Sequence, residues 1–270
     1  MRFSQVDVFT DELTLGNPVA VVHDADALTD DQMAAFARWT NLSETTFLLP
    51  PTDPAADYRL RIFTTYRELP FAGHPTLGSA RAWLAAGGQP REPGILRQEC
   101  GAGIVRVRED DGRLWFAAPP RVRSGPVDEA DVQRVAASLG LGRDDVVDAE
   151  WADNGPGWVA LLLRSADAVL AIEPRPGMTA KIGVVGPHAP GSGADLEVRA
   201  FFPPGEDPVT GSLNAAIGQW LIGSGRAPAS YVAAQGTRLQ RRGRVHVEAV
   251  GDDVWVGGDT VVGVTGTVAL

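Results

Sequence analysis

Apolar residues fall in short runs separated by Gly, Pro and Asp, and most of the runs read as strands. In the first half these are Val6–Phe9, Pro18–Val22, Thr46–Leu49, Tyr58–Phe63, Ile104–Arg108 and Leu114–Ala117. The second half offers Val146–Trp151, Val159–Leu163, Ile182–Val185, Glu197–Phe201, Val245–Ala249 and Val254–Val256. Helical spacing is rarer. A helix at about Asp30–Trp39 opens on Thr29-Asp-Asp-Gln32, the pattern of a reciprocal cap, and another spans about Glu129–Leu139. Two further helices, His74–Ala86 and Ser212–Ile222, each end in glycines and are small or apolar around most of their circumference. A helix without a polar face is buried on all sides, so each is expected inside the curve of its own sheet.

The two halves repeat one another. Shifting the chain by 138 residues aligns Asp57-Tyr-Arg-Leu-Arg61-Ile-Phe63 with Asp195-Leu-Glu-Val-Arg199-Ala-Phe201. The match runs on without a gap through Glu68-x-Pro70-x-x-Gly73 and Glu206-x-Pro208-x-x-Gly211. Six of the 20 positions from 57 to 76 are identical, where chance gives roughly one. The expected organisation is an N-terminal lobe, 1–118, and a C-terminal lobe, 119–270, divided at the loop Pro119–Pro126, with the final strand free to pair back onto the first lobe.

Each buried helix begins beside a glycine, Gly73 or Gly211. A helix start presents unpaired N–H groups and the positive end of the macrodipole, which suits a carboxylate or phosphate. Two such starts meeting at one cleft would take a small anion, most simply a carboxylate. The repeat is also unequal where chemistry is concentrated: Glu44 aligns with Lys181, the only lysine, and Asp207 aligns with Leu69.

These residues carry a family resemblance. Asn41-Leu-Ser43-Glu44-Thr-Thr-Phe, Glu68-Leu-Pro-Phe-Ala-Gly-His74-Pro-Thr and Glu206-Asp207-Pro-Val-Thr-Gly-Ser212 resemble, in order, three motifs of the PhzF-like family of phenazine biosynthesis. Asp7-Val-Phe-Thr…Gly16-Asn17-Pro18 resembles its N-terminal signature. The resemblance implies an α+β, diaminopimelate-epimerase-like fold of two pseudosymmetric lobes, each a curved sheet wrapped around a central buried helix, as a homodimer without metal or organic cofactor. It implies an isomerase in which Glu44 takes a proton from one carbon of a cyclic, amino-acid-like carboxylate and returns one elsewhere. Partial burial is expected to raise the pKa of that glutamate. His74 and Asp207 are implied to join the catalysis, and Ser43, Gly73, Gly211, Ser212 and Asn17 to bind substrate.

The chain departs from the two-thiol racemases of that fold, which carry cysteines at the positions of Ala72 and Thr210. A one-base epimerase, a dehydratase or a non-catalytic carboxylate-binding protein remain the alternatives. Composition narrows the field further. A net charge of -10 argues against a nucleic-acid partner, and a single cysteine, Cys100, suits a reducing cytoplasm. No export signal or membrane-length apolar run is expected. Gly101-Ala-Gly103 lacks the third glycine of a dinucleotide loop. The segment from Pro204 lacks the lysine of a phosphate-binding loop, and His23, His188 and His246 show no zinc spacing.

Overall fold

The computed structural model describes residues 1–203 and 205–270; Pro204, which opens the segment compared above with a phosphate-binding loop, lies outside the described residues. In chain order the elements are β1 (Arg2–Val8), β2 (Asn17–Val22), α1 (Asp30–Thr40), β3 (Thr45–Leu49), β4 (Tyr58–Phe63), β5 (Glu68–Leu69), α2 (Gly73–Ala85), β6 (Ile95–Cys100), β7 (Gly103–Asp110) and β8 (Arg113–Ala117). There follow α3 (Glu129–Ser138), β9 (Val146–Trp151), β10 (Trp158–Leu163), α4 (Ala166–Leu170), β11 (Lys181–Pro187), β12 (Leu196–Phe202), β13 (Gly205–Asp207), α5 (Gly211–Gly223), β14 (Ser230–Gln235), β15 (Gly243–Val250), β16 (Asp253–Gly258) and β17 (Thr260–Thr267). The chain divides into two compact units, Met1–Ala117 with Gly257–Leu270, and Ala118–Val256.

In the first unit the strands lie in the order β17, β1, β2, β3, β4, β6, β7, β8, with β2/β3 and β4/β6 parallel and the rest antiparallel. In the second, β9, β10, β11, β12, β14 and β15 follow one another, with β10/β11 and β12/β14 parallel. The alternation is the same. Parallel neighbours need a crossover, and each is bridged by a helix: α1 and α2 in one unit, α4 and α5 in the other. Register bears out the sequence repeat. Thr45 lies opposite Phe63, and Ile182 opposite Phe201. Glu44 and Lys181, each just before those residues, therefore hold corresponding places.

Small residues let α2 and α5 sit tightly in their units. A Cβ on Gly78 would lie 2.3 Å from Val19 Cγ1, and one on Gly218 would lie 2.8 Å from Val247 Cγ1. A buried hydroxyl pair, Thr46 Oγ1 and Ser79 Oγ at 2.8 Å, ties α2 to β3. The reciprocal cap expected at Thr29 and Gln32 opens α1. Both central helices begin on their glycine, one residue earlier than the sequence suggests, because His74 and Ser212 are each the second helical residue.

One side-chain device appears twice. Arg61 donates from Nε and Nη2 to the two carboxylate oxygens of Glu68, both at 2.7 Å, across the β4–β5 hairpin. Arg199 does the same to Glu206 across β12–β13, at 2.9 and 2.8 Å. Each guanidinium also covers a ring two residues on, Phe63 at 5.1 Å and Phe201 at 4.7 Å. Forked pairs of this kind fix geometry as well as charge. Here they brace the hairpin that delivers the chain to each central helix.

β5, β6, β13, β14 and α4 were not expected from the sequence. β6 reads Ile-Leu-Arg-Gln-Glu-Cys and β14 reads Ser-Tyr-Val-Ala-Ala-Gln, neither a clear apolar run. Parallel pairing with β4 and β12 makes them strands, a tertiary effect that propensity does not carry.

Candidate active site

In the first unit, α1 stops at Asn41, whose left-handed backbone (φ 55) turns the chain. Thr40 and Thr45 then close the four-residue loop with a 2.7 Å hydroxyl contact. Glu44 occupies the last place before β3, so a rigid strand end holds its backbone. Its side chain is 16% exposed, and its Oε2 lies 3.4 Å from Nδ1 of His74, the second residue of α2, whose side chain is 6% exposed. Ser43, beside it, is exposed.

Burial holds the His74 pKa down to about 3, and the Pro18 carbonyl, which accepts a hydrogen bond from the ring, acts in the opposite direction. The imidazole is therefore neutral at ordinary pH, with one nitrogen a donor and the other an acceptor. Its Nε2 is buried and has no hydrogen-bond partner among the described residues. A buried polar atom without a partner is costly.

The N-terminal signature explains itself in support of this histidine. Asp7 Oδ2 accepts from the Gly16 amide at 3.1 Å. A Cβ on Gly16 would stand 2.2 Å from the Val8 carbonyl oxygen, so only glycine fits. Asn17, 1% exposed, opens β2 opposite Val8 and sets the position of Pro18 behind His74. Gly73 is required by packing, since a Cβ there would lie 2.4 Å from Phe116 Cζ.

In the second unit Asp207 ends β13 and accepts from Thr210 Oγ1 at 2.6 Å. Gln235, fully buried at the end of β14, organises this turn. Its Nε2 donates to Thr210 Oγ1 (3.0 Å) and to the Asp207 carbonyl (3.2 Å), while its Oε1 accepts from the Thr210 amide (3.0 Å) and Asn214 Nδ2 (2.8 Å). Gly211 and Ser212 open α5, and Ser212 is gripped from outside the helix. Trp158 Nε1 donates to its Oγ at 3.1 Å, and Asn154 Nδ2 donates to its carbonyl at 2.9 Å.

The structure thus brings together Glu44, Gly73, His74 and Asn17 in one unit, and Asp207, Gly211 and Ser212 in the other. Sequence reading missed Thr210, Gln235, Asn214, Asn154 and Trp158. Thr210 was seen only as the place of a lost cysteine, and Gln235 sits on an unexpected strand. Among the described residues no group of three or more His, Cys, Asp or Glu side chains could hold a metal ion, and no helix is long and apolar enough to cross a membrane.

Known proteins are similar to this chain over nearly its whole length. The chain is 36% identical to antisense-enhancing sequence 1 of Schizosaccharomyces pombe, covering 98% of this chain and 97% of that one. It is 31% identical to the trans-2,3-dihydro-3-hydroxyanthranilate isomerase of Pseudomonas aeruginosa, covering 93% and 91%. Among solved structures, the Bacillus anthracis phenazine biosynthesis protein of the PhzF family superposes with a TM-score of 0.84 at 23% identity, covering 100% of this chain and 99% of that one. The architecture is α+β and diaminopimelate-epimerase-like. The profile of the family described as phenazine biosynthesis-like protein (PhzC-PhzF) matches residues 6–269, and with the isomerases among its relatives this places the chain in that family, as an isomerase.

Proposed function

We propose that this isomerase moves a proton between two carbons of a small, cyclic, amino-acid-like carboxylate, with Glu44 as the acid–base group. The observation that carries the reading is Glu44 fixed at a strand end, mostly buried, 3.4 Å from a histidine that burial keeps neutral. A neutral imidazole makes no ion pair with Glu44, so the histidine can donate to or accept from the substrate while the carboxyl group carries the proton. Proton transfer by a positioned carboxyl group needs that reach and that mobility of charge.

Asp207, steadied by Thr210, and the α5 start at Gly211 and Ser212 suit the orientation and binding of the substrate carboxylate, because the amides of a helix's first turn favour an anion. The relative from Pseudomonas aeruginosa supplies a first substrate to try, trans-2,3-dihydro-3-hydroxyanthranilate. The test is solvent deuterium incorporation into that compound in D2O. Native protein should label the product at carbon, and Glu44→Gln should reduce labelling by about 10²-fold or more. Equal labelling by Glu44→Gln would remove Glu44 from the mechanism. Loss of water or simple inversion, read by mass and optical rotation, would instead establish the dehydratase or the one-base epimerase.

A further inference from the structure

We infer that Trp158 is a positioning residue that fixes the Ser212 hydroxyl as a donor to the substrate carboxylate. The inference deepens the reading above and rests on it for the ligand class. An indole N–H can only donate. Since Trp158 Nε1 donates to Ser212 Oγ at 3.1 Å, that oxygen is committed as an acceptor on one side. Its own O–H then remains to be given away, and among the described residues no acceptor takes it. Asn154 Nδ2 meanwhile holds the Ser212 carbonyl at 2.9 Å, which steadies the backbone from which the hydroxyl projects.

The neighbouring turn has the same polarity. Gln235 donates to Thr210, and Thr210 donates to Asp207. Both hydroxyls at this helix start accept a hydrogen bond from a donor-only or fixed amide group; Thr210 gives its own proton to Asp207, and that of Ser212 is left for a ligand. Lys181, in register with Trp158 on the adjoining strand, places its ammonium 5.9 Å from the centroid of the same indole, adding positive charge beside it. An oxygen ligand that carries negative charge is the partner this polarity favours, because the hydroxyl still has its proton to give.

Trp158→Phe removes the N–H and keeps a ring for Lys181 to cover. Calorimetric titration of the whole chain with 3-hydroxyanthranilate, and with 2-aminophenol (the same ring without the carboxylate), separates positioning from packing. Trp158→Phe should weaken 3-hydroxyanthranilate about three- to tenfold, the worth of one hydrogen bond, and leave 2-aminophenol unchanged. In a Ser212→Ala background it should add less than about twofold, because the two residues act through one bond. Equal losses for both ligands, or additive losses in the double variant, overturn the inference.

If native protein binds neither compound, the ligand class of the proposed function fails, and the indole resonance decides on Trp158 alone. That N–H signal, identified by its disappearance in Trp158→Phe, should shift in Ser212→Ala. It should respond to benzoate only while Ser212 is present. A resonance indifferent to Ser212→Ala or to benzoate refutes the assignment.

Discussion

The paired arginine–glutamate clamps offer a controlled experiment within one molecule. The two forks have nearly the same distances but different surroundings: the Arg61 and Glu68 side chains are 21% and 41% exposed, Arg199 and Glu206 only 4% and 10%. Solvent-exposed pairs contribute about 0–1 kcal/mol. Removing one partner of a buried pair costs about 3–5 kcal/mol, because the other charge is stranded. Arg199 would keep the Val169 and Ile172 carbonyls as acceptors, at 3.2 and 2.7 Å, which places Glu206→Gln at the lower end, about 3 kcal/mol. At about 2–4 °C per kcal/mol for a chain of this size, scanning calorimetry should show a fall in Tm of about 6–12 °C for Glu206→Gln and under about 4 °C for Glu68→Gln. The double change Arg199→Met with Glu206→Leu should recover part of the loss, since it strands no charge but takes the donor from the Ile172 carbonyl. Equal falls for the two single variants would show that burial does not govern these clamps.

Two other expectations concern the first unit. Gly73→Ala forces a Cβ to within 2.4 Å of the fully buried Phe116 ring and should cost about 1–3 kcal/mol by urea denaturation, whereas Gly223→Ala at the end of α5 meets nothing within 4 Å and should be neutral or mildly stabilising; matching losses would refute the packing account of Gly73. His74 titrates near 6.5 in the unfolded chain and about 3 in the folded one, so its contribution is complete above pH 6.5 and is lost as pH falls toward 3, where only the unfolded state takes up the proton. Tm measured from pH 7 to pH 4 should therefore decline less steeply for His74→Gln than for the native chain, and parallel curves would count against a buried neutral ring.

Much of this was legible in the sequence because the gene-level repeat preserves both spacing and chemistry. The ungapped match around Arg61 and Arg199 turns out to be the two clamps, and the Glu44–Lys181 alignment matches the strand register. The supporting shell was not legible. Gln235 gains its role by lying opposite Val198 on a strand whose sequence is mostly small, while the buried glutamine of β6, Gln98, lies opposite Tyr58 and donates to Thr76 instead. A shift of register between two related strands leaves no trace in residue type. Trp158 read simply as a strand residue, since an indole N–H has no sequence signature until its acceptor is known.

The closing strand has a consequence for how the chain is made. β17 pairs with β1 along its whole length, from Arg2 opposite Thr267 to Val8 opposite Thr260, yet residues 118–256 of another unit separate them in sequence. During synthesis the intervening unit has all its own strands before the first unit has its last one. Until residues 260–267 leave the ribosome, β1 presents an open row of amide groups, the kind of edge that recruits a neighbouring chain. A nascent chain halted just short of this strand therefore carries β1 with one edge unpaired.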